Sequence, residues 1–257
     1  MSRRLTHAER VLQGFGIESP NEIDLEAIAW RLGALVKYKP LRSCEARIIG
    51  RDHKAIITVD TSAIPRRRRF SIAHELGHWH HHRGRCLICR SDEIGNARRG
   101  PTDPERVADD YASDLLLPRY ILDPMLKSIQ RINVAAARKI ADAFDTSLTA
   151  TLIKIVETDI FPMLIVCHSR EGRRWFRRAP SVPSRWFPQE ELDHESFAFP
   201  LLFGATAEEP NPRRIGADAW FDRREAPEFE LLEQTYQLPG NQICTILILT
   251  DPKMMRD

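Results

Sequence analysis

The side chains best suited to chemistry sit in ten consecutive residues, Phe70 to Trp79, which read Phe-Ser-Ile-Ala-His-Glu-Leu-Gly-His-Trp. The stretch contains His74-Glu75-x-x-His78. Histidines four apart project from one face of a helix, where two imidazoles can hold one metal ion. Glu75 follows the first histidine directly, close enough to exchange a proton with a water at such an ion. With nine histidines in 257 residues, chance supplies this pattern in roughly two per cent of sequences. Two core histidines beside a salt-bridged glutamate would read the same way, so a third ligand has to decide.

Glu105 is that residue. It lies in a segment running from Asp103 to Pro118, where Asp103 can cap a helix and Pro104 can fill its first turn. Ala108, Tyr111, Ala112, Leu115 and Leu116 recur at helical spacing, and Glu105 stands three before Ala108 on the same apolar stripe. Two histidines and a glutamate, with a fourth position open to water, form the His2Glu pattern of catalytic zinc sites, here one Zn2+ per chain. Asp109, one turn after Glu105, can accept the other N–H of a ligand imidazole and fix its orientation. His78 and His82 are also four apart, but only His74 and His78 bracket a glutamate. Cys86-x-x-Cys89 has no second pair downstream, so no zinc ribbon is expected. Tyr111, Tyr120 and His168 are unranked candidates for stabilising an oxyanion.

These residues need elements to position them. Apolar spacing predicts helices over 6–16 and from Asp24 to Leu32, with Gly33 as a stop. Three short strands follow, at Leu35–Tyr38, Ala46–Ile49 and Ala55–Val59. The last of them, in Lys54–Asp60, is expected to offer an open edge to an extended substrate. Pro65 opens the helix that carries His74 and His78. That helix is apolar nearly all round and therefore buried, and Gly77 within it implies the close approach of another segment. Further on, Val134 to Val156 reads as helix, turn and helix, with a helix-turn-helix-like spacing at Ile140, Ala141, Phe144 and Ser147. Its second helix offers Thr149, Thr151 and Lys154, and direct contact with DNA stays open. From about Asp159 the texture is that of an α+β domain: strands at Phe161–Cys167, Arg173–Arg177 and Ile243–Thr250, with aromatic stretches at Trp186–Leu202 and Asp218–Phe221 forming a core or pocket wall.

Composition agrees with a globular chain. Hydrophobic residues make up 42% and charged residues 29%, which argues against extended disorder. No apolar run approaches the ~20 residues needed to span a bilayer, and the N-terminal residues lead into no secretion signal, so the expectation is a cytoplasmic protein with no membrane partner. A net charge of +2 does not by itself imply nucleic-acid binding. The arginine clusters at Arg66–Arg69, Arg173-Arg174 with Arg177-Arg178, and Arg223-Arg224 read as solvated faces and turns. Five scattered cysteines form no disulfide framework.

Taken together, Arg67-Arg-Arg-Phe-Ser-Ile-Ala-His-Glu-Leu-Gly-His78 and Glu105-x-x-Ala-Asp-x-Tyr-Ala-x-x-Leu-Leu-Leu-Pro118 resemble the ImmA/IrrE family of zinc metallopeptidases. The resemblance is carried by residues 5–120. It implies an α+β, zincin-like peptidase domain at 1–127, a helix-turn-helix-like segment at 128–157, and a C-terminal α+β, GAF-like sensory domain at 158–257 with a small-molecule ligand. It also implies His74, His78 and Glu105 as zinc ligands and Glu75 as the catalytic carboxylate. The substrate it implies is a helix-turn-helix repressor, whose cleavage derepresses stress-response or mobile-element genes. A regulator that binds DNA or a ligand and keeps the zincin fold only as a scaffold is the alternative.

Overall fold

A computed structural model describes residues 3–42, 44–81, 103–204 and 207–256. The chain is mixed α+β and divides into two compact units. One comprises the residues up to Leu122 with Ala141–Ser147; the other comprises Asp123–Ile140 with the residues from Leu148 onward. Cys86, Cys89, His82 and the glycine-containing loop at 91–102 lie outside the described residues.

The first unit opens with α1 (His7–Gly14), whose cap is sequence-encoded: Thr6 accepts from the amide of Glu9, and Glu9 reaches back to the amide of Thr6. The same Glu9 carboxylate is fully buried; it also accepts from the amide of Arg119 at 2.8 Å and pairs with Arg3. Helix α2 (Leu25–Arg31) is capped by Asp24. Strands β1 (Ala34–Lys39), β2 (Ala46–Arg51) and β3 (Lys54–Asp60) make a sheet of order β1-β3-β2, with β1 parallel and β2 antiparallel to β3. Period-two alternation sends Ala46, Ile48, Ala55, Ile57 and Val59 inward, where α3 (Pro65–His81) packs on β2 and β3. Gly50 is required on β2 because a β-carbon there would stand 2.4 Å from the Trp79 ring.

One expectation is overturned. The strand Lys54–Asp60 is central, paired along both edges, and cannot take an added strand. Its near-continuous apolar character reflects burial between neighbours rather than readiness to pair. Among the described residues, β2 is paired on one side only.

Helix α4 (Pro104–Leu116) packs along α3. It is followed by α5 (Arg119–Lys127), which had no distinctive signal because Pro124 interrupts its pattern. Helices α6 (Val134–Ala143) and α7 (Leu148–Thr158) form the expected helical pair, joined by a turn in which Asp145 adopts φ 51°. The residues by which α7 could reach DNA, a contact the sequence left open, are not on a free face: Thr151 and Lys154 are buried, and the hydroxyls of Thr149 and Tyr236 are 3.0 Å apart.

The second unit is built on a five-stranded antiparallel sheet: β4 (Met163–Ser169), β5 (Gly172–Arg178), β6 (Arg213–Gly216), β7 (Glu230–Leu238) and β8 (Gln242–Leu249), in the order β5-β4-β8-β7-β6. Helix α7 packs on β4 and β5, and α8 (Ala198–Phe203) on β7 and β8. Trp186, Trp220 and Phe221 are fully buried, so the aromatic stretches do build a core. Glu233 lies inside it and accepts from Ser196 Oγ, the Ala198 amide and Trp220 Nε1. Burial holds its carboxyl above the usual carboxylate range despite these donors. No helix among the described residues is long and apolar enough to cross a membrane.

Candidate metal centre

Helix α3 is buried continuously from Ser71 to Trp79, so His74, Glu75 and His78 lie in the interior. The turn-to-turn rise of the helix sets the two histidines edge to face, with ring centroids 4.7 Å apart and planes at 82°. Their Nε2 atoms are 3.0 Å apart. Glu105 enters from α4, which Asp103 starts by accepting from the Glu105 amide at 2.9 Å. Its Oε2 stands 3.3 Å from His74 Nε2 and its Oε1 3.4 Å from His78 Nε2. Ligand atoms of these three residues all fall within 4.8 Å of one another, the spacing of a metal-binding cluster.

The helices can approach this closely because of Gly77. A β-carbon there would stand 2.8 Å from the Ala108 Cα and 3.0 Å from its carbonyl oxygen. Gly77 follows His74 by three residues and Ala108 follows Glu105 by three, so the contact lies one turn from His74 and from Glu105. The close approach that the glycine implied in the sequence is therefore to α4, the element that supplies the third donor.

Asp109 sits where its spacing suggested, with Oδ1 2.9 Å from His74 Nδ1. A carboxylate can only accept, so Nδ1 carries a proton, and a metal that displaced the proton of Nε2 would find that nitrogen's lone pair directed toward His78 and Glu105. Burial alone would depress the His74 pKa, but the hydrogen bonds to Asp109 and Glu105 outweigh it and hold the imidazole up to about 9. Burial likewise opposes ionisation of Glu105, and the two histidines override it, keeping its carboxyl well below the usual range. Two imidazole nitrogens 3.0 Å apart beside a carboxylate attract a cation, whether a proton or a metal ion. The donor set therefore fits a divalent metal, and imidazole with carboxylate suits zinc.

The remaining candidates separate. Tyr111 lies on α4 with its ring stacked on His80, centroids 5.3 Å apart, and its hydroxyl is buried. Tyr120 donates to the carbonyl of Ile17 at 2.5 Å. His168 belongs to the second unit, on β4 against Trp220. His80 and His81 cluster with His7, whose Nδ1 is 3.1 Å from His80 Nε2, and none of the three belongs to the three-donor set.

The arginines before the site were expected to be solvated, and three of them are held. Arg66 pairs with Asp142 and Asp145, Arg69 with Asp145, and Arg67 with Glu45, all within the first unit. No local signal could have found these partners, since the acids lie far away in sequence.

Residues 29–155 match the family model Peptidase_M78, described as the IrrE N-terminal-like domain. Among solved structures, the chain is similar to a Mycobacterium tuberculosis transcriptional regulator, with a TM-score of 0.58 and 16% identity, over 94% of this chain and 86% of that one. That likeness is one of fold. No curated protein sequence matches the chain.

Proposed function

Residues 29–155 are an IrrE N-terminal-like domain of the Peptidase_M78 family, and on that premise we propose that the protein is a zinc-dependent endopeptidase that cleaves a helix-turn-helix transcriptional repressor. The observation that carries the reading is the convergence of His74, His78 and Glu105, with Glu75 buried between the two histidines. His74, His78 and Glu105 would hold the ion. Bound zinc would supply a Lewis acid that polarises the scissile carbonyl and makes water nucleophilic near pH 7.

The chain's own residues account for the rest. Glu75 takes the proton of the attacking water and returns it to the leaving amine. Asp109 keeps His74 in the Nδ1–H tautomer and fixes the plane of its ring. The sheet supports binding of an extended substrate at β2, whose outer edge carries no strand among the described residues. The zincin-like reading of residues 1–127 is supported by a three-stranded sheet followed directly by the metal-binding helix. Beyond the helical segment at 128–157, residues 158–257 act as a GAF-like sensory domain. An antiparallel sheet with its first and last strands, β4 and β8, paired at the centre supports that role.

The test is metal analysis of the purified chain with a cleavage assay on helix-turn-helix repressors, wild type beside Glu75→Gln. Wild type should hold one zinc and cut; Glu75→Gln should keep the zinc and lose about 10²- to 10⁴-fold in rate. Undiminished cleavage by zinc-loaded Glu75→Gln would remove the assignment.

A further inference from the structure

The face of the three-stranded sheet that α3 does not cover is apolar in one row. Strand register puts Leu35, Ile56 and Ile49 side by side across β1, β3 and β2. They are 49%, 41% and 60% exposed, and Trp30, at the end of α2, is 69% exposed beside them. Together they line a groove of about 610 Å³ whose exposed lining is mostly apolar. Scattered exposed leucines need no explanation, but a contiguous row on a sheet face marks an interaction site.

Charge frames this row on both sides. The same register places Arg51 opposite Lys54 in the row before it, and Lys37, Thr58 and Arg47 in the row after it. No carboxylate occupies either flanking row; the nearest, Asp52, lies in the turn, 3.8 Å from Arg51. A partner must therefore bring an apolar ridge with acid on both sides.

We propose that this face docks an acidic amphipathic helix of another protein. Three strands about 4.8 Å apart make a row roughly 10 Å long, which two helical turns of about 5.4 Å match. An apolar side chain at every turn fills the row, and carboxylates on either side of the ridge meet the flanking cations. Sheet faces are covered by helices, whereas added strands join edges. A second copy of this chain fits badly, because its face would set lysine and arginine against lysine and arginine. A concave groove also suits a ridge better than a flat lipid surface. The inference is independent of the peptidase reading, since the face lies on the side of the sheet away from α3.

The experiment uses the full chain and a synthetic helical peptide with leucines along one face and glutamates on both sides. Its counterpart carries lysines in place of the glutamates. Calorimetric titration should show the acidic peptide binding and the basic one silent. Binding should weaken at least about tenfold in 0.5 M salt, with Ile56→Asp, and with the double reversal Lys37→Glu and Arg47→Glu. All three altered positions are on the surface, and unchanged thermal unfolding certifies that the variants are folded. Equal binding of both peptides, or no binding, overturns the proposal. So does tighter binding to vesicles containing phosphatidylglycerol, or a dimer in sedimentation that Ile56→Asp dissolves.

Discussion

Gly77 of α3 and Ala108 of α4 meet backbone to backbone, with only 2.8 Å between the Ala108 Cα and the place a glycine β-carbon would take. No side chain end lies there to swing away, so the spacing of the two helices is set by the missing methyl group. Glu105 is one turn from the contact on α4, and His74 one turn from it on α3.

Gly77→Ala should therefore affect the metal as well as the fold. Moving α4 outward costs about 1–3 kcal/mol in packing, partly offset by the ~1 kcal/mol preference of helices for alanine. Glu105 moves with it, away from the histidine nitrogens. The expected result is a modest fall in unfolding midpoint and a larger fall in zinc affinity. Thermal denaturation with competitive zinc titration separates the two.

Asp109→Asn should preserve the three donors and weaken their hold. An amide can present its NH2 to His74 Nδ1 and favour the other tautomer, which puts the proton on the nitrogen that faces the metal. Loss of about 10- to 100-fold in zinc affinity is expected, and chelator competition measures it. An unchanged affinity would mean that Asp109 only fills space.

The buried imidazole of His168 gives the second unit an acid-sensitive point. Burial, with Arg173 adding to it, pushes its pKa down to about 4 from the ordinary 6.5. Between those values the unfolded chain binds a proton that the folded chain refuses, so stability falls as pH drops from about 6.5 toward 4. The loss should approach about 3 kcal/mol at the acid end. Urea titrations across that range, wild type against His168→Leu, should show a shallower fall in the variant.

Lys154→Met tests what α7 is for. Lys154 is buried, with its Nζ 3.9 Å from Glu157, so its substitution should leave retention of duplex DNA and its salt dependence unchanged. A decrease in the salt slope by about one would show instead that Lys154 reaches a phosphate.

The candidate cluster was legible in the sequence because each of its members sits on a periodic element. His74 and His78 share a helix face, Glu105 falls on an apolar stripe, and Asp109 is one turn further. What the sequence hid was pairing. Lys54–Asp60 looked like an available strand because local β propensity says nothing about how many neighbours a strand has; register across the sheet decides that. The Arg66 and Arg69 partners, Asp142 and Asp145, were invisible for the same reason. Strands β6 and β7 escaped notice because Glu233 and Gln234 break the apolar pattern of β7. There a buried carboxylate is tolerated through donors from Ser196, Ala198 and Trp220.

The central position of β3 also bears on the order in which the first unit assembles. Strands β2 and β3 are joined by the two-residue turn Asp52-His53, with Asp52 at φ 56°, so their hairpin can close on a microsecond scale from local contacts. Strand β1 must arrive from outside that hairpin, in parallel and across the greater loop. Gly33 leads it in, and a β-carbon at Gly33 would collide with the His53 carbonyl 2.3 Å away. Gly33→Ala should thus slow the refolding rate more than a solvent-facing change elsewhere on β1, because it obstructs the slowest strand at the moment it docks.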